Sequence, residues 1–216
     1  MSELSYSTAE QRVVDAMLAY LAGRPGAVRF SAALATIPAL NPQACRTASA
    51  RGAMIADVEW TGKGSATSQA LIEVIERERS NLDWVTPYED DAETGTGFAE
   101  GAAYCKLIGP DAPFPARDVM AGLFVVKAGV SYFDHSHGPE ELYLPIAGRG
   151  RFWADGAGWK QAGPDDVIVH ARWQWHAMET VTEPVLILWS WLGPEGFGIW
   201  PALRPTFGGV AQVTTG

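Results

Sequence analysis

Cysteine is scarce in this sequence. Cys45 and Cys105 are the two copies in 216 residues, far apart and without CxxC spacing, so neither a disulfide framework nor a thiolate zinc site is expected and both read as buried thiols. Basic charge is also short: 16 Lys and Arg face 25 Asp and Glu, for a formal net charge of −9. That balance argues against a broad footprint for nucleic acid or anionic lipid and favours a small-molecule ligand. No run of about 18 apolar residues occurs, so no membrane span is expected. The opening MSELSYSTAEQ lacks a basic and then apolar leader, which makes the cytoplasm the expected location. No internal repeat or low-complexity tract is visible. Histidine is sparse too, and its four copies all fall between positions 135 and 176.

What is present suits a folded domain. A composition 47% hydrophobic and 11% aromatic can bury a substantial core, and the length favours one domain with an appended part. In STAEQRVVDAMLAYLAG, Ser7 and Glu10 stand at capping-box spacing, Val13, Val14, Met17, Leu18 and Leu21 form a helical stripe, and Gly23 ends it. SQALIEVIERERSNL predicts a second helix with Leu71, Ile72 and Ile75 inward and Glu76, Arg77, Glu78 and Arg79 on a solvated face. FSAALATIPAL predicts a short helix stopped before Pro38. PYEDDAETGTGFAEG is acidic and glycine-bearing and reads as an exposed connection, with a cover formed by residues 88–101 as the alternative.

From about residue 100 the pattern changes to short apolar runs between Gly and Pro: AAYCKLIG, MAGLFVVKAG, ELYLPIAG, GRFWAD, DVIVH and VLILWSW. Such runs predict a β-sandwich or barrel and not βαβ units. The expected organisation is a helical region over residues 1–90 packed on a β-barrel over 91–216.

The stretch HSHGPEELY, residues 135–143, concentrates metal-capable side chains around a Gly-Pro break. In an extended strand His135 and His137 share a face roughly 7 Å apart, and Glu141 and Tyr143 are likewise in step. A straight strand would leave Glu141 about 20 Å from His135. A turn at Gly138 and Pro139 folds the second arm back and brings Glu141 and Tyr143 opposite the imidazoles. A third imidazole, from His170 or His176, would complete a shell of three His and one Glu for a first-row divalent ion. His176 is the better candidate, since it follows the turn-like ARWQW and starts an apolar strand. His170 reads as a hydrogen-bonded core histidine. Glu140, out of step with Glu141, reads as solvent-facing or as a support to the ligands. Tyr143 is placed in or near the shell.

HSHGPEELYLPIAGRG followed by GPDDVIVHARWQWHAM resembles the two cupin motifs. The longer run from Val126 to Gly193 is similar to the bacterial cupin-type dimethylsulfoniopropionate lyases, with the likeness strongest over residues 120–195. The resemblance implies a mainly β fold, a cupin barrel of the double-stranded β-helix or jelly-roll kind with an α-helical N-terminal part. It makes His135, His137, Glu141 and His176 the ligands of one divalent transition metal ion, Zn, Fe, Mn, Co or Ni. Tyr143 becomes the candidate catalytic base, Tyr132 a catalytic or substrate-binding tyrosine, and Trp191 a substrate-binding tryptophan, while His170 has no place in the pattern. The implied reaction is β-elimination of a sulfonium carboxylate. Aromatic faces would hold the sulfonium by cation–π attraction, with Trp153, Trp173, Trp175 and Trp189 as further candidates beside Trp191. Another cupin metalloenzyme, a dioxygenase or isomerase, and a non-catalytic ligand-binding cupin are the alternatives. A homodimer is the expected assembly if the chain associates.

Overall fold

The computed structural model describes residues 8–37, 49–62, 64–87, 95, 97–193, 202–204 and 206–211. Helices α1 (Ala9–Leu21), α2 (Val28–Ala35), α3 (Ala50–Ala56), α4 (Ala66–Glu78) and the single-turn α5 (Phe98–Gly101) precede the strands. These are β1 (Ala102–Ile108), β2 (Val119–Val126), β3 (Ser131–Ser136), β4 (Glu140–Ala147), β5 (Gly150–Ala154), β6 (Gly158–Ala162), β7 (Ile168–His170), β8 (His176–Glu179), β9 (Val185–Leu192), β10 (Ala202–Leu203), β11 (Thr206–Phe207) and β12 (Val210–Ala211). One antiparallel sheet runs β1-β2-β9-β4-β7 and a second runs β10-β3-β8-β5-β6, with β11-β12 as a small hairpin. The fold is thus mainly β, two sheets face to face in jelly-roll fashion. No ladder joins one sheet to the other among the described residues.

Strand alternation sorts the apolar residues into two cores. Leu142, Leu144 and Ile146 of β4, Leu123 and Val125 of β2, and Leu186 and Leu188 of β9 face the helices. The residues between them, Tyr143, Phe124, Val126, Ile187 and Trp189, face the second sheet together with Tyr132, Phe152 and Met178. Because the first sheet is covered on both faces, its strands read as near-continuous apolar runs, not as alternation.

The helical layer follows from its stripes, with five corrections. The cap of α1 is Thr8, whose hydroxyl accepts from the Gln11 N–H at 3.2 Å, while Ser7 lies outside the described residues. The buried face of α1 takes in Tyr20, and Leu18 is only partly buried. On α4, Leu71, Ile72 and Ile75 are buried as the spacing predicts, but so is Glu78, which the expectation had placed in solvent. Glu78 continues the row through Leu71 and Ile75, so its position faces α1. There Arg12 donates to both carboxylate oxygens at 2.8 Å and Arg77 adds a third contact at 2.8 Å. Helix α2 begins at Val28, upstream of the stretch expected, and α3 was not anticipated. Arg24 and Tyr20 of the helical layer reach Asp165 of the β-region at 2.6 and 3.1 Å. Cys105 is buried, as expected. Cys45, Pro38, residues 88–94 and residue 96 lie outside the described residues, while the rest of the stretch read as an exposed connection turns inward at α5, with Phe98, Ala99 and Gly101 buried.

Candidate metal centre

The bend at Gly138 and Pro139 does more than fold one arm onto the other. Strand β3 belongs to the second sheet and β4 to the first, so the connection 137–139 carries the chain across the mouth of the sandwich. His135 therefore faces Glu141 from the opposite wall. His176 opens β8 and is paired directly across from His135. His137 sits in the crossing itself. The ligand atoms of His135, His137, Glu141 and His176 all lie within 4.8 Å of one another, and all four residues are buried.

The imidazoles are oriented by backbone. Nδ1 of His135 faces the carbonyl oxygen of Phe133 at 3.0 Å, Nδ1 of His137 that of Pro139 at 3.0 Å, and Nδ1 of His176 that of Gln174 at 2.8 Å. A carbonyl only accepts, so each Nδ1 carries the proton and the neutral ring is left with a lone pair on Nε2. The Nε2 atoms of His137 and His176 are buried without a hydrogen-bond partner. They stand 3.5 and 3.0 Å from Oε1 and Oε2 of Glu141. Lone pairs turned toward a carboxylate repel it unless a cation lies between them. Three imidazole nitrogens and a carboxylate are a donor set for Zn, Fe, Mn, Co or Ni. The residues fit a divalent ion.

Electrostatics agree with that fit. Burial pushes the Glu141 carboxyl up, but the electrostatic pull of the His137 and His176 rings beside it and the hydrogen bond from His170 outweigh burial and hold it well below the usual carboxylate range. Burial, reinforced by His176, pushes His135 well below its ordinary value, which keeps its lone pair free for a metal.

His170 lies on β7 directly opposite Glu141. Its Nδ1 donates to Glu141 Oε2 at 2.9 Å and its ring stacks on His176 at 3.9 Å. Burial pushes it down to about 4, so it is neutral at pH 7. It is a hydrogen-bonded buried histidine, as expected, but the bond it makes is to a member of the cluster. Trp191 of β9, also opposite Glu141, donates its indole N–H to Oε1 at 2.6 Å and lies against His137 with ring centroids 4.2 Å apart. Neither contact was legible beforehand, since both depend on which strands flank β4.

The tyrosines line the same interior. Tyr143 is buried, edge-on to His170 at 5.5 Å and to His176 at 6.5 Å. Tyr132 is sandwiched between His135 at 3.8 Å and Phe98 at 4.1 Å. Glu140 turns away and pairs with Arg29 of α2 at 2.9 Å. Of the other tryptophans considered, Trp189 donates to the Leu123 carbonyl, the face of Trp175 carries the Arg204 guanidinium at 4.0 Å, and Trp173 is half exposed. A cavity of about 270 Å³ opens between β6 and β7, lined by Phe152, Trp153, Lys160, Ile168, His170 and Gln174 among others.

The model of the dimethylsulfoniopropionate (DMSP) lyase family matches residues 27–187. Dimethylsulfoniopropionate lyase DddQ of Ruegeria pomeroyi is 35% identical over 111 residues, 51% of this chain and 54% of that protein. Putative dimethylsulfoniopropionate lyase DddL of Cereibacter sphaeroides is 28% identical over 162 residues, 73% of this chain and 65% of that protein. The chain thus spans between half and two thirds of the length of these curated relatives. A chain from the crystal structures of the DMSP lyases RdDddP and RnDddQII superposes with a TM-score of 0.76 at 28% identity, covering 91% of this chain and 97% of that one.

Proposed function

We propose, from the premise that this chain belongs to the dimethylsulfoniopropionate lyase family, that it cleaves dimethylsulfoniopropionate to dimethyl sulfide and acrylate by β-elimination. The observation that supports this most is the convergence of three imidazoles and Glu141 on one point, inside a wall that also presents Tyr143 and Tyr132.

Elimination removes a proton from the carbon beside the carboxylate; the electron pair of that bond forms the new double bond, and the carbon–sulfur pair leaves with neutral dimethyl sulfide. His135, His137, Glu141 and His176 would hold the divalent ion. When bound, it supplies Lewis-acid stabilisation of charge developing on the substrate carboxylate and favours the ionised form of a nearby phenol. Tyr143 takes the proton. Its ordinary pKa near 10 is too high for a base at neutral pH, so it depends on that neighbourhood. Tyr132, flat against His135, would orient the substrate. The sulfonium offers no hydrogen-bonding proton and needs a charge-tolerant, dry surface. Phe98, Phe124, Phe152, Trp189 and the edge of Trp191 make the interior aromatic, which suits a cation and excludes water.

Headspace detection of dimethyl sulfide from purified protein and dimethylsulfoniopropionate, with and without a chelator, tests the proposal. Release that the chelator abolishes and added metal restores is the expected result. A metal-loaded protein that releases none would sink it.

A further inference from the structure

Asp134, the residue before His135 on β3, is fully buried on the other side of its sheet. Its carboxylate is not used by the metal centre. It accepts from Arg204 Nε and Nη2 at 3.0 and 2.8 Å, from the Thr206 hydroxyl at 2.7 Å, and from the Gly208 and Gly209 N–H groups at 2.7 and 3.1 Å. All five donors come from residues 202–211. That segment pairs with β3 as β10, Leu203 opposite His135 and Ala202 opposite Ser136, on the edge away from β8. The ladder between β3 and β8 is interrupted by a bulge between Tyr132 and His135, so β8 alone leaves that stretch of β3 without regular pairing. The same segment reaches the second ligand strand too, since the Arg204 guanidinium lies over Trp175, the neighbour of His176.

The turn that supplies the two backbone donors is built for close approach. Gly208 and Gly209 link β11 to β12 with φ of 63° and 79°, the left-handed conformation a two-residue hairpin turn requires. A Cβ at Gly208 would come within 2.4 Å of Trp159 Nε1, and one at Gly209 within 2.9 Å of Trp153 Cζ2. Phe207 packs beside Trp159 and Phe133, with centroids 4.9 and 6.1 Å away.

We infer that residues 202–204 and 206–211 form a strap that belongs to the metal centre: clamped on Asp134, it fixes the register of the bulged strand and so aims His135 at its ion. Asp134 and Arg204 are positioning residues. The inference rests on the metal reading above and extends it to residues that touch neither ion nor substrate.

Cobalt(II) taken up by the full chain gives a readout that a purely structural strap would not move, because its visible absorption reports the geometry of its ligands. Asp134→Asn keeps the shape but turns an amide N–H toward donors; affinity for cobalt(II), by competition with a chelator, should fall about 10-fold or more with an altered absorption band. Arg204→Lys keeps the charge but loses the paired N–H geometry, and carries the test if the first variant does not fold; Phe207→Ala, which loosens packing alone, should lower the unfolding temperature and leave the band in place. Folded Asp134→Asn or Arg204→Lys protein with the wild-type band and affinity would overturn the strap's role while leaving the metal reading intact. Wild-type protein that takes up no cobalt(II) or other divalent ion would overturn both.

Discussion

The indole N–H of Trp191 and Oε1 of Glu141 are 2.6 Å apart, so the tryptophan expected to face the substrate also grips the carboxylate of the candidate metal cluster. With His170 on the other oxygen, Glu141 is held by one donor on each side and has little freedom to rotate. Replacing Trp191 therefore has two separable effects. Trp191→Phe keeps an aromatic face and loses the N–H, and is expected to weaken metal retention several-fold with KM little changed. Trp191→Ala should weaken both, with substrate affinity hit harder. Parallel chelator competition and KM measurements separate the two, and a Trp191→Phe protein with unaltered metal affinity would show that the hydrogen bond is idle.

His170 makes the matching contact and offers a cleaner removal, since the proposed reaction gives it no step. His170→Ala should lower metal affinity by about 10–100-fold, the usual cost of losing a partner that orients a ligand. His170→Gln, which can restore a donor toward Oε2, should recover part of the loss. Equal metal retention by all three proteins in a dialysis series would remove His170 from any supporting role.

Tyr143→Phe deletes one oxygen from a buried ring that keeps its contacts with Phe152 and Phe124. Metal content and unfolding temperature should stay close to wild type while kcat falls by about 10²–10⁴, the range associated with a positioned base. A metal-loaded variant turning over near the wild-type rate would pass the role to another group, with Tyr132 first in line.

The α1–α4 contact should set the acid limit of the helical layer. Hydrogen bonds from Arg12 and Arg77 hold Glu78 down to about 2, from an ordinary 4.5. A carboxyl whose folded value is depressed contributes stability that is complete above its unfolded value and drains away as pH falls through the folded one, here between about 4.5 and 2. Far-UV circular dichroism should show helix loss in that window, and Arg12→Gln should move it to higher pH. An unchanged acid midpoint in that variant would mean that the pair contributes nothing to the layer.

Local periodicity carried the reading of the sequence a long way. Leu71, Ile72 and Ile75 could be placed inward from spacing alone, and the short apolar runs after residue 100 became strands where the turn residues divide them. The four donors were legible because two stand two positions apart where β3 ends, a third lies just past the bend and the fourth begins another strand. Three things were not. Glu78 looked like part of a charged face because a lone residue carries no sign of the Arg12 that faces it from 66 positions away. Trp191 and His170 touch Glu141 only because β9 and β7 flank β4, a fact of topology to which neither composition nor period speaks. The contacts made on Asp134 are similarly invisible: Arg204, Thr206, Gly208 and Gly209 have no pattern of their own and are held by a carboxylate 70 or more positions upstream.

Glu141 projects from one sheet and His135 and His176 from the other, and no shared ladder ties those sheets together among the described residues. An ion held by all of them is then a rivet through the sandwich as much as a reagent. Stripping it at neutral pH should leave each layer intact yet free to shear, with amide exchange quickening in β3 and β8 while β2 and β9 stay protected. On the proposed reading, turnover and mechanical cohesion would be lost in one step, so a chain deprived of such an ion would be both inactive and easier to pull apart.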